Sequence, residues 1–238
     1  MKYLFATFFI LFSFYLKAQD AISTDRPTQS AGATVVPKGS VLIEAGYINE
    51  KVTTGIKNLT YLNTLVRIGL IDNLELRLTQ NYSGVNVLDE KANGLSPFTL
   101  GTKYHLLAAD GWKPQMSVLG QVTLLTGMEE FRPESEIFEV RLNFQNSLSE
   151  NASLGYNIGY TTADDQELFY TLVFGYEIVD GWTVFAEPYA FLGNNDHRFN
   201  AGLIYLAKPN LQFDFSFGSG LSDNAPDSFV GFGVALGL

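Results

Sequence analysis

The sequence contains no cysteine and only two histidines. The first absence excludes a disulfide framework and any thiolate metal site. The second leaves little scope for a histidine-rich metal centre, so neither a metal nor a cofactor is expected. Basic side chains are scarce too: 15 Lys and Arg stand against 25 Asp and Glu in 238 residues, for a net charge of −10. A chain this acidic lacks the clustered cations that phosphate backbones require, so no nucleic-acid partner is expected. No apolar run beyond residue 18 is long enough for a membrane-spanning helix. Neither a phosphate-binding loop nor a dinucleotide fingerprint occurs.

The first 18 residues have the form of a removable export signal. Met1 and Lys2 make a short positive start, residues 3–16 are apolar, and Ala18 is a small residue in front of Gln19. From residue 40 onward the apolar residues recur with period two rather than 3.6. Leu74, Leu76, Leu78 and Tyr82 alternate with Glu75, Arg77, Thr79 and Asn81. Phe138, Val140, Leu142 and Phe144 alternate with Glu139, Arg141, Asn143 and Gln145, and Phe213, Phe215 and Phe217 alternate with Asp214, Ser216 and Gly218. Each run lasts roughly ten residues, beyond the usual globular strand and about what a tilted strand needs to cross a bilayer.

About twelve such strands are predicted, near 40–49, 58–70, 74–83, 97–107, 114–126, 136–148, 152–161, 168–178, 182–192, 198–207, 211–219 and 227–238. Their connections alternate between tight turns, such as Asp72-Asn73 and Asp180-Gly181, and longer loops at 50–57, 84–96, 127–135, 162–167, 193–197 and 220–226. That segregation predicts an all-β fold, an antiparallel transmembrane β-barrel. The competing architecture is a large soluble β protein with a wet outer face. Two features favour the apolar face pointing to lipid. Aromatics on it gather at the strand ends, with Tyr82, Phe138, Tyr160 and Tyr170 toward the long loops and Tyr104, Tyr176, Trp182 and Tyr205 toward the short turns. Nearly all strand glycines fall on the other face, where they leave room in a lumen; Gly120 is the exception. The domain plan is a signal peptide at 1–18, a periplasmic leader or lumen plug at 19–39, and a barrel over 40–238.

Several short motifs resemble an outer-membrane, transporter-like family labelled "putative meta-pathway of phenol degradation". They are Thr24-Asp25-Arg26-Pro27 with Thr28-Gln29-Ser30, then residues 36–40 leading into Glu44-Ala45-Gly46-Tyr47, and residues 67–77. Gly101-Thr102-Lys103-Tyr104, Val184-Phe185-Ala186-Glu187 and Gly231-Phe232-Gly233 complete the set. The resemblance implies a barrel of this size in a Gram-negative outer membrane and the passive movement of small solutes, apolar or aromatic ones included. Outer-membrane lipid, the barrel assembly machinery and a small-molecule solute are the partners it implies. Barrels of this kind commonly end on an aromatic residue, whereas this chain ends on Leu238.

On the polar face, Glu44, Arg67, Glu75, Arg77, Lys103, Glu139, Arg141, Glu187 and Asp214 form a candidate lumen charge network. Charges of both signs there can pair across strands. Their bland role is to brace the wall; their functional role is an ion-selective constriction, mildly cation-preferring because acids outnumber bases. Asp25, Arg26 and Pro27 form the candidate plug motif, with Asp25 or Arg26 expected to meet Arg67, Glu75 or Arg77. Phe185, Tyr189 and Phe191 are aromatic where other strands are polar, and are a candidate solute path or else support for the plug. Pro188 among them cannot donate a ladder hydrogen bond, so a bulge or local break is expected there, with a side opening toward lipid as one consequence. An enzyme is not expected: no serine accompanies His197 in sequence, and Asp196-His197 is a weak candidate base. The acidic loop of Asp164, Asp165 and Glu167 lacks the calcium-loop pattern. The alternative to transport is a structural or surface-interaction barrel with a sealed lumen.

Overall fold

The computed structural model describes residues 21–88, 90–163 and 167–238. The expected export signal, the first two leader residues, Asp164 and Asp165 lie outside the described residues. Thirteen strands are present among those described: β1 (Val41–Thr53), β2 (Ile56–Ile71), β3 (Leu74–Val87), β4 (Glu90–Leu95), β5 (Thr99–Leu107), β6 (Gln115–Thr123) and β7 (Ile137–Ser147). Then come β8 (Ala152–Thr161), β9 (Glu167–Val179), β10 (Trp182–Phe191), β11 (Asp196–Lys208), β12 (Leu211–Gly220) and β13 (Ser228–Gly237).

Twelve of them close a ring of antiparallel neighbours. β13 pairs with β1, β1 with β2, β2 with β3, and β3 skips to β5, after which each strand pairs with the next. The seam between the chain's two ends is in register from Leu42 opposite Gly237 to Lys51 opposite Ser228. Closure removes the exposed backbone groups that an open sheet would leave unpaired in lipid. The alternation that predicts the strands also sorts the two faces. Phe138 is 58% exposed and Phe217 53%, whereas Glu44, Glu75 and Lys103 are 0% exposed. Apolar side chains therefore cover the outside and charged ones fill the inside, which is the reverse of a soluble sandwich. The aromatic girdles are present: Tyr82, Tyr160 and Tyr170 at one end, and Tyr104, Tyr176 and a Trp182–Tyr205 stack at the other, are all exposed.

Two of the predicted long loops are strand instead. The expected loop at 50–57 is a tight turn at Thr54-Gly55, with β1 and β2 continuing to it; Gly55 takes φ +84° there. The expected loop at 84–96 is the upper part of β3, a turn at Leu88, and β4. β4 pairs with the upper half of β3 and β5 with the lower half, so together they form one ring position interrupted at Ser96-Pro97-Phe98. Pro97 has no N–H to donate, and the ladder stops there. The ladder between β5 and β6 begins at Thr99 opposite Thr123. Above it, the second edge of β4 has no ladder among the described residues. Residues 124–136 cross this gap, held by a hydrogen bond from Met128 N to Leu95 O at 2.9 Å.

Pro188 produces no bulge. The ladder to β11 runs through it, and the ladder to β9 skips Glu187 and Pro188 but resumes in the same register. The expected bulge is thus absent and the break at Pro188 is confined to two pairs on one side; the longer interruption is at β4.

Candidate functional site

Residues 21–40 precede β1 and contain no strand, so their backbone groups need partners from elsewhere. Both ends of the segment are tied near the short turns: Ile22 N donates to Pro209 O at 2.8 Å and Gly39 N to Gly69 O at 2.9 Å. Between them the chain rises into the barrel, where inward-facing side chains supply acceptors. Glu44 takes the N–H groups of Asp25 and Arg26 at 3.0 and 2.8 Å. Glu187 takes those of Gln29 and Ser30 at 2.9 and 2.7 Å, and Glu75 that of Val36 at 2.8 Å. Asn157 bonds both ways with Ala31, accepting from its N at 2.7 Å and donating to its O at 3.0 Å.

The charges form one dense cluster and several outliers. Arg67 is its centre, at 3.1 Å from Glu44, 2.9 Å from Glu75 and 3.6 Å from Asp25, and it also donates to Ser23 O. Asp25 sits 2.7 Å from Arg77 and 3.4 Å from Lys103; Glu75 lies 2.8 Å from Arg77 and 3.6 Å from Lys103. Arg26 meets Asp214 at 3.1 Å and Phe232 O at 3.0 Å. Its guanidinium occupies the space where a Cβ on Gly46 or Gly233 would stand, and these two glycines are directly opposed on β1 and β13. Burial alone would raise the Asp25 carboxyl, but Arg67, Lys103 and Arg77 outweigh it and hold Asp25 well below the ordinary carboxylate range.

A carboxylate depressed in the docked state contributes stability above its ordinary value of about 4 and loses it only as pH falls through the lower, docked value. The segment is therefore expected to stay seated at pH 4.5 and to loosen only in stronger acid. Protease cutting within residues 23–34, followed from pH 7 down to pH 3, checks this; release already complete at pH 5 would contradict it.

The other expected network members lie apart from the cluster. Glu139 pairs with Arg141 at 3.0 Å, while Arg141 also reaches Gln29 O at 2.7 Å and stands 4.7 Å over the Phe169 ring. Glu187 meets no cation among the described residues: Ser30 Oγ and Asn200 Nδ2 bond to it beside the two backbone donors. The surplus of acids over bases in the lumen is thus taken up partly by backbone N–H groups. Asn157, Asn200, Gln212 and the Arg198 pairs with Glu50 and Asp196 belong to the same interior. Sequence reasoning passes over them, although their place in the alternation marks them as inward-facing.

The segment divides the interior. On the long-loop side a cavity of about 320 Å³ is lined by Tyr189, Phe191, Phe229, Glu50, Arg198, Asn58 and Thr60, with Arg26, Pro27 and Gln29 as its floor. On the short-turn side one of about 190 Å³ is lined by Phe185, Val173, Ile204 and Thr183 together with Ser23, Thr28 and Ser30. Phe185 is therefore separated from Tyr189 and Phe191, and the three do not form one continuous path. His105 Nδ1 lies 3.3 Å from Ala33 O and His197 Nε2 3.2 Å from Asn195 Oδ1. The Asp196 carboxylate is engaged by Arg198 rather than by His197. No cluster of potential metal ligands occurs among the described residues.

The family model described as "Putative MetA-pathway of phenol degradation" matches residues 24–238. No curated protein matches the sequence. Among solved structures, an outer membrane channel from Pseudomonas putida F1 is 13% identical with a TM-score of 0.68, over 91% of this chain and 100% of that one. The KdgM porin is 13% identical with a TM-score of 0.58, over 82% and 98%. The NanC porin is 12% identical with a TM-score of 0.53, also over 82% and 98%. At these identities the likeness is one of fold: a closed twelve-stranded outer-membrane barrel.

Proposed function

From the premise that this chain belongs to the family described as "Putative MetA-pathway of phenol degradation", we propose that it is an outer-membrane channel or transporter for the passive movement of small solutes, apolar or aromatic ones among them. The observation that carries this reading is the outer cavity. Tyr189, Phe191 and Phe229 give it an aromatic wall, Glu50, Arg198, Asn58 and Thr60 give it hydrogen-bonding groups, and it lies on the long-loop side of the segment. A ring bearing a polar substituent matches both kinds of surface. Residues 21–36 act as a lumen plug in this proposal, with Asp25, Arg26 and Pro27 as its anchor. The charge cluster braces the plug and the wall, and no chemical step is assigned to the protein.

Passage requires that the plug yield, or that the solute leave sideways. The second edge of β4 favours a lateral component, because among the described residues it carries no ladder and residues 124–136, with a short 3-10 turn at Glu129–Phe131, cover it instead. Apolar solutes gain most from such a route, since it delivers them to lipid without crossing the charged floor.

Uptake of a phenolic probe into proteoliposomes tests the proposal. Wild-type protein is expected to admit the probe faster than empty vesicles, and Tyr189→Ala with Phe191→Ala to lower the rate several-fold. Phe185→Ala, on the far side of the plug, is expected to have the smaller effect. A barrel that admits neither ions nor probe would favour the alternative, a structural or surface-interaction barrel with a sealed lumen.

A further inference from the structure

The distribution of basic side chains is uneven in a way that channel function leaves unexplained. Arg26, Arg67, Arg77, Lys103, Arg141 and Arg198 make their contacts inside the barrel, Lys38, Lys113 and Lys208 lie toward the short turns, and Arg132 bonds to Gly127 O within the loop of residues 124–136. At the long-loop end the strand lysines of the outer wall are Lys51, Lys57 and Lys91. The register places them in one cross-strand row: Lys51 opposite Lys57, Lys57 opposite Asn86, and Asn86 opposite Lys91. Their neighbours fix the direction. Glu50 and Asn58, adjacent in sequence, bond to each other and line the inner cavity wall, so Lys51 and Lys57 point outward. Asn93 bonds to the exposed Tyr61, which puts Lys91, two residues away, on the same outer face.

Like charges directly opposed across a ladder cost stability unless an anion lies between them. Lys51 has Asp227 at 2.7 Å; Lys57 and Lys91 are exposed and form no ion pair among the described residues. The row stands four residues beyond Tyr47, Tyr61 and Leu95 on the same strands, about 13 Å along the chain. Tyrosines at that level mark the membrane–water interface, so the row lies on its water side, and the flexible lysine stems are long enough to reach back toward head-group phosphates. In the loop of residues 124–136 the same rim carries Glu129, Glu130 and Glu134 around the single cation Arg132. We infer that Lys51, Lys57 and Lys91 form a binding site for the phosphate groups of an outer-leaflet glycolipid, which holds that lipid against β1–β4, beside the second edge of β4.

Native mass spectrometry of the full chain in detergent, with diphosphorylated lipid A as the probe, tests this. Wild type is expected to retain the lipid, and K51Q/K57Q/K91Q to bind it on the order of 10- to 100-fold more weakly. The periplasmic-end control K38Q/K113Q/K208Q should bind like wild type. Wild-type binding should weaken as salt rises, and neither dephosphorylated lipid A nor millimolar inorganic phosphate should replace the probe. Equal retention by the triple variant, equal binding of the dephosphorylated lipid, or a lysine-dependent change of oligomeric mass without lipid would each overturn the assignment, the last in favour of contact with the acidic loops of a second copy.

Discussion

Removal of residues 21–36 is expected to raise single-channel conductance in planar bilayers several-fold. The segment's floor residues separate the two cavities, and the barrel wall around them is polar. Taking the segment away joins the cavities into a hydrated lumen of the size twelve strands enclose, between the filled interior of eight and the open channel of sixteen. The barrel itself should persist, because its ladder closes through β1 and β13 without the segment. Glu44, Glu187 and Asn157 lose backbone partners but gain water. The opened pore should prefer cations mildly, since the acids that had accepted backbone N–H groups then face the solution; a reversal potential under a salt gradient reads the sign. Retained heat-modifiable migration would certify the fold, and unchanged conductance in folded protein would remove the plug from the proposal. A point variant, Glu187→Ala, gives a second route: it frees Gln29 and Ser30 while leaving the segment in place, and should produce brief, noisy openings.

The fold was legible because lipid and lumen impose opposite chemistry on alternate residues. In β7 and β12 a reader needs only the parity of Phe138 and Asp214 to know which way each points. Strand ends at the long-loop side were harder. The stretch Glu50-Lys51-Val52 reads as a loop, yet it is strand, because once the wall leaves the membrane both faces are wet and the apolar signal fades. The same fading hid β4, and Pro97 made the chain look as though a strand began there rather than resumed.

The interior was legible as a set of charges but not as a set of bonds. Parity assigns Glu187 to the lumen; only three-dimensional placement reveals that its partners are the N–H groups of Gln29 and Ser30 instead of an arginine. Asn157 and Asn200 carry no charge and so drew no notice, although each meets the segment directly. The aromatic run of β10 suggested continuity, but Phe185 and Tyr189 are four residues apart on a tilted strand, and the segment crosses between their two cavities.

Replacing Arg67 by methionine is expected to be the most damaging single substitution in the barrel. Methionine fills much of the same volume, so the loss is electrical rather than steric. Arg67 is 1% exposed and serves Glu44, Glu75, Ser23 O and Thr34 O at once, with Asp25 close by. Without it Glu44 keeps only the two backbone donors of the segment, and Glu75 and Asp25 must share Arg77 and Lys103. Stranding buried carboxylates in this way costs about 3–5 kcal/mol, to be read as a lowered urea midpoint for unfolding from lipid vesicles. Arg67→Lys should recover only part of that, because one ammonium cannot span acceptors that a planar guanidinium meets with separate N–H groups. The pair Arg67→Met with Glu75→Gln should be more stable than Arg67→Met alone, since the second change removes one of the unpaired charges. A simple sum of the two single losses would mean that Arg67 and Glu75 act independently. The 2.9 and 3.0 Å contacts between them would then be geometry without coupling.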